Sequence, residues 1–215
     1  MTEDLTIGEQ IVLLALDEEA GTLREAPLRV SLAVSAAALL ELSFSGHLTE
    51  RDGALVVAGA STPADPAAVA MAEHMQSHPE ETPREWLLAV REQALDTAYK
   101  GLSGKRLVRE HGRRVLGAFG SVKYPVTNLS ELGALRGRLV AVLTQGQDPD
   151  ERTAALIAVL HHAGLQAVLL QGSGAEAPEG RLTAIAEGQG TAAELGDAIR
   201  TTVAALTAVI ASSAL

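Results

Sequence analysis

Apolar positions recur at helical spacing along most of the chain, in segments punctuated by Gly and Pro. Leu5 to Leu16 reads LTIGEQIVLLAL, and Thr6 followed by Glu9 has capping-box spacing, so a helix starts here and ends across Asp17 to Gly21. Ser31 to Phe44 predicts a second helix whose small residues allow close packing, with Gly46 placed to terminate it. In the following HLTERDGALVV, Asp52-Gly53 between two short apolar segments predicts a hairpin. A helix followed by a small hairpin is the outline of a winged-helix unit. Ala58 to Pro66 reads as a linker, Ala67 to Gln76 as a short helix, and Pro79 to Pro83 as a break. Arg84 to Leu102 predicts a longer amphipathic helix with Leu87, Leu88, Val90, Ala94, Leu95, Ala98 and Leu102 on its apolar side. Two apolar strips around Glu110-His111-Gly112 predict a second hairpin over Arg106 to Val122, and Pro125 excludes a helix through Tyr124.

Further helices are predicted over Ser130 to Leu143, with Ser130 as cap, over Asp148 to Gly164, and over Thr191 to Ser212. The second of these is apolar on nearly all sides from Ala154 to Leu160, hence central, and Ser173 to Gly180 reads as a flexible loop. The expected fold is mainly α: a single helical domain over residues 1–215 with one or two small β-hairpins, one projecting. Composition agrees. Apolar residues are 47% and aromatics only 2%, so Leu, Ala and Val must build the core. Cysteine is absent, which removes disulfides, thiolate metal sites and a cysteine nucleophile. The acidic start, Met1 to Asp4, predicts no signal peptide. Val203 to Leu215 is the nearest approach to a spanning run and falls short of the ~18 residues required. The expectation is a chain that lies on a membrane and does not cross it.

Catalytic chemistry finds little footing. His74 and His78 have i, i+4 spacing, but Ser77-His78-Pro79 ends the segment without a third ligand at diagnostic spacing, so the pair reads as an exposed helix end. Adjacent His161 and His162 point about 100° apart on a helix and cannot chelate one ion. Gly101-Leu102-Ser103-Gly104-Lys105-Arg106 lacks the spacing and preceding strand of a phosphate loop, and no G-x-S-x-G string occurs. Glu18-Glu19 and Glu80-Glu81 read as solvated pairs. The chain is therefore expected to be a binding protein, not an enzyme, with no catalytic residue, metal or cofactor.

Charge changes the picture. The net charge is -10, which repels nucleic acid and anionic lipid on average. Yet Lys100, Lys105, Arg106, Arg109, Arg113 and Arg114 crowd into a window in which Glu110 is the only acid, and Lys123 follows. Between Arg114 and Lys123 lie Leu116 and Phe119, which a hairpin tip would present between flanking cations. Each cation near an anionic surface contributes about 1 kcal/mol, and an inserted apolar tip adds roughly 25 cal/mol per Å². Inward packing of Leu116 and Phe119 beneath a solvated charged face is the competing arrangement.

Several segments resemble, in order, the Golgi phosphoprotein 3 family: Leu5 to Leu16 followed by Gly21; Ala38 to Leu48, with Glu41-Leu42 and Gly46; Tyr124-Pro125-Val126-Thr127-Asn128; and Asp148 to Ala163. The resemblance covers roughly residues 5 to 170. It implies a largely helical domain with a projecting apolar β-hairpin used for membrane contact and self-association. It also implies phosphatidylinositol 4-phosphate binding and an adaptor role toward other proteins, as in eukaryotic members. Ala-, Leu-, Gly- and Arg-rich usage points to a bacterial, actinobacterial member, in a cell without a Golgi. The eukaryotic lipid pocket uses a tryptophan, an arginine, and two further arginines three apart. Aligned positions here are Ala26, Ser35, Glu92 and Leu95, with Arg91 the nearest cation.

The combined expectation is a peripheral membrane protein on the inner face of the membrane, in contact with the cytoplasm. It would bind anionic, phosphoinositide-like headgroups through Arg91, Lys100, Lys105, Arg106, Arg109, Arg113 and Arg114, with Leu116 and Phe119 as the membrane tip. A protein client and a homo-oligomer formed through the hairpin are the further partners expected, and nucleic acid is not. The alternative is a winged-helix DNA-binding regulator built on Ser31 to Val57, against which stands the absence of Lys or Arg between Ser31 and Ser45.

Overall fold

The computed structural model describes residues 5–51, 54–59, 61–112, 122–172, 174, 178–188 and 197–213. Within them lie α1 (Ile7–Ala15), α2 (Pro27–Phe44), β1 (Leu48–Arg51), β2 (Ala54–Val57), α3 (Pro66–Ser77), α4 (Pro83–Gly104), α5 (Leu129–Thr144), α6 (Glu151–His162), α7 (Glu179–Ala186) and α8 (Asp197–Ser213). The fold is mainly helical with one small antiparallel hairpin, as the apolar spacing predicts.

Helix α2 is the hub. It is buried from Val30 to Leu42, and α1, α3, α4, α6 and α8 pack around it. By length and apolarity α2, not Val203 to Leu215, is the segment that passes as a membrane span, though it is mostly buried. Its apolar surface is spent on neighbouring helices. From Val30 to Leu42 the helix preceding β1 has no free face, while its first turn, Pro27 to Arg29, is exposed.

The capping box at Thr6 and Glu9 is present. Glu41 of α2 accepts a hydrogen bond from the Ile7 N–H (2.9 Å), so the start of α1 is tied to the core helix. Helix α2 ends in a Schellman motif, with His47 N–H bonded to Leu42 O, Gly46 N–H bonded to Ser43 O, and Gly46 at φ +72°. The predicted linker before Pro66 and the break at Pro79 also stand. β1 and β2 pair in the register Leu48↔Val57 to Arg51↔Ala54; the Asp52-Gly53 turn lies outside the described residues.

Four expectations need correction. Helix α2 starts at Pro27, because proline at the first helical position is preorganised and its missing N–H is no loss there. Asn128, not Ser130, caps α5 by accepting from Glu131 N–H (3.3 Å). Helix α7 and a 3-10 turn at Gln166–Val168 were not foreseen, being too short for a periodic signal. The second antiparallel pair does not turn at Glu110-His111-Gly112. Its arms are 107–111 and 123–127, joined by bonds from Thr127 N to Leu107 O, Arg109 N to Pro125 O, and both ways between His111 and Lys123. The expected projecting tip falls on residues 113–121, which lie outside the described part.

Candidate membrane-contact site

The basic segment starts where α4 stops. The last turn closes as a second Schellman motif: Leu107 N–H bonds Leu102 O (2.9 Å) and Arg106 N–H bonds Ser103 O (3.0 Å). Leu102 and Leu107 are both buried, the apolar contact this motif usually brings. Gly46 fills the left-handed position at the end of α2, but here the residue is Arg106, at φ +58°. A non-glycine residue there costs about 1–2 kcal/mol. Thr127 Oγ1 donates to Arg106 O (2.8 Å) and holds the strained peptide.

From Leu107 the chain enters the two arms. Opposed residues in an antiparallel pair share a face, and the face alternates along each arm. Val108 and Val126 are paired on the inner side. Tyr124, on the same side, is buried and stacks on Tyr99 of α4, with ring centroids 4.1 Å apart. Burial, reinforced by Tyr124, pushes the Tyr99 phenol up to about 12. Arg109, His111 and Lys123 alternate to the other side and are exposed. Two further bonds clamp the 123–127 arm to the α1–α2 loop: Tyr124 N–H to Gly21 O (2.7 Å) and Val126 N–H to Glu18 O (2.9 Å). Gly21 sits at φ +64°, and a Cβ there would lie 2.2 Å from Pro125 N, so only glycine permits this approach.

These positions sort the predicted cations. Lys100 is largely exposed and pairs with Asp96 one turn earlier (2.6 Å), a contact of little energetic weight. Arg106 and Arg109 are exposed. Lys105 is turned inward: its Nζ donates to Glu9 Oε2 (2.6 Å), a carboxylate only 6% exposed that also caps α1. Gly101 makes room for this pair, since a Cβ there would sit 2.1 Å from Glu9 Oε1. Arg91 lies nine residues before Lys100, about 180° around the helix. It bonds Leu88 O and Glu92, apart from the patch. Arg113, Arg114, Leu116 and Phe119 fall outside the described residues.

A family model for Golgi phosphoprotein 3 (GPP34) matches residues 7–205. The chain belongs to the Golgi phosphoprotein 3 family. No curated protein matches it. Of the positions aligned with the eukaryotic lipid pocket of the Golgi phosphoprotein 3 family, Ser35 is fully buried and donates its hydroxyl to Leu87 O (2.9 Å). Ala26 is the N-cap of α2, and Glu92 is exposed. These positions carry no basic group. A separate cleft of about 500 Å³ is lined by Arg138 and Arg152 together with Glu131 and Asp150. Its arginines already serve the fold, Arg138 bonding Gln10 (3.1 Å) and Arg152 bonding Glu41 (2.5 Å). The sequence reading missed both internal roles, because no spacing rule links residues more than a hundred positions apart.

Proposed function

We infer that this Golgi phosphoprotein 3 family member is a peripheral membrane protein that docks on anionic lipid through the end of α4 and the two arms that follow. The reading is of a binding protein, not an enzyme, acting on the inner face of the membrane. The observation that carries it is the exposure of Arg106, Arg109 and Lys123 on an acidic protein, with Arg106 held in a strained conformation where glycine would fit better. Strain of this kind is retained where the side chain has a use. In sequence Arg113 and Arg114 add charge and Leu116 and Phe119 add apolar surface beside them; all four lie outside the described residues. Lys105 and Arg91 are left out, the first because it neutralises Glu9 and the second because it lies on another side of α4. Without basic groups at the aligned pocket positions, recognition rests on headgroup charge in general, not on one phosphoinositide.

Vesicle sedimentation tests this. Phosphatidylcholine vesicles should leave the protein in the supernatant, and inclusion of phosphatidylserine should pellet it, less so as salt rises. Arg113→Glu with Arg114→Glu should abolish pelleting. Equal binding to neutral and anionic vesicles, or binding to neither, overturns the reading.

A further inference from the structure

At the opposite end of α4, three metal-ligating side chains converge. His74 lies in the last turn of α3, His78 is the C-cap of that helix, and Glu81 sits in the turn leading to α4. The sequence reading counted the histidines as an exposed end and Glu80-Glu81 as solvated. Instead the turn folds Glu81 back, and its Oε2 lies 2.7 Å from His74 Nε2. The two imidazoles stack with centroids 4.5 Å apart. One ligand atom from each of the three residues lies within 4.8 Å of the other two.

The surroundings are those of a prepared ligand set. His78 Nδ1 lies 3.2 Å from the His74 carbonyl, which only accepts, so Nδ1 carries the hydrogen and Nε2 of the neutral ring keeps its lone pair. Histidine ligands are commonly oriented in this way, the second nitrogen donating to a backbone carbonyl. The His78 carbonyl accepts in turn from Glu81 N–H (3.2 Å) and from the indole of Trp86 (3.3 Å), which fixes the turn. Trp86 is buried and is the only tryptophan in the chain.

We propose that His74, His78 and Glu81 form a site for a divalent transition cation of the zinc type. Two imidazoles and one carboxylate are a zinc-like donor set, borderline in softness and nitrogen-rich, poorly suited to magnesium or calcium, which take oxygen ligands. Metal bonds of about 2.0–2.2 Å in a tetrahedron set ligand atoms roughly 3.4 Å apart. From the present spacings the widest pair must close by up to about 1.4 Å, and His74 and Glu81 must part slightly. Water takes the fourth position. The cation clips the end of α3 to the start of α4, beside the groove that β2 forms with Met75, Pro83 and Trp86.

The test uses the full chain, stripped with EDTA and titrated with zinc chloride by calorimetry, with Trp86 emission followed in parallel. The expected result is one ion per chain, a change in emission, and a Tm rise of about 5 °C or more at hundredfold excess over Kd. His78→Ala should remove all three. Glu81→Gln can still accept from His74 and so preserves the fold, but it should lower zinc affinity about tenfold or more. His111→Ala, on the distant arm, should change nothing. Absence of zinc binding by the wild type, or undiminished affinity in Glu81→Gln, overturns the proposal. Vesicle binding is a separate readout, so either idea can fail alone.

Discussion

The two ends of α4 differ in every respect that decides what a surface can bind. The helix has 22 residues and separates its ends by about 33 Å. At its start, the Thr82 capping box satisfies the first N–H groups, and Glu85 is held below the usual carboxylate range by the Thr82 N–H and hydroxyl. Carboxylates and imidazoles gather there. At its finish Lys100, Arg106 and Arg109 are exposed, where the helix dipole favours cations. One rod thus presents a metal-ligating corner at one end and an anion-attracting one at the other. The lesson is that a net charge of -10 says little about a local surface when a helix sorts its charges by end.

The comparison breaks if a change at one end alters the other. The largest expected effect is on lipid. Arg106→Glu with Arg109→Glu should weaken binding to phosphatidylserine vesicles about a thousandfold, taking about 2 kcal/mol for each reversal of a cation near the surface. Zinc titration of the same variant should be unchanged. Next is Lys105→Met, which should lower unfolding free energy by about 2–3 kcal/mol in urea titrations, because it leaves the buried Glu9 carboxylate without its partner. Its vesicle affinity should stay within about twofold of the wild type, since this ammonium faces inward. A loss as large as that of the arginine reversal would return Lys105 to the docking surface.

A smaller and two-sided effect is expected for Arg106→Gly. Relief of the left-handed backbone, less the added freedom of the unfolded chain, should raise stability by about 0.5–1 kcal/mol. Vesicle affinity should fall about fivefold with the lost charge. Opposite signs in the two measurements would sharpen the claim that this residue trades stability for contact. The smallest effect guards the pH comparison. His162 is pushed below the ordinary histidine value, first by burial and then by His161. The folded state therefore binds fewer protons than the unfolded one as pH falls through about 6.5, and stability should decline there, levelling off below the depressed folded value. His162→Gln should flatten that slope, so that acid loss of fold is not mistaken for loss of the histidine-carboxylate corner.

Legibility followed the range of the interaction. Every long helix was readable from apolar spacing, and Gly46 from its position after α2, because these signals span a few residues; the start of α2 and the cap of α5 were not. The short α7 fell below that window. Lys105 read as one more surface cation because its partner Glu9 lies 96 positions away. Glu81 read as solvated because a turn, and no periodicity, carries it to His74. Arg106 carried no sign of its left-handed backbone, since only the closing of the Schellman motif imposes it.

Local signals along the chain fix the helical class, the family pattern and the concentration of positive charge between Lys100 and Lys123. Those depend on composition and on neighbours along the chain. Packing settles which cations remain at the surface, which carboxylate pairs with Lys105, and which side chain joins His74 and His78. Those outcomes depend on distances between segments that packing around α2 brings together, and pairwise geometry of that kind is not written in local spacing.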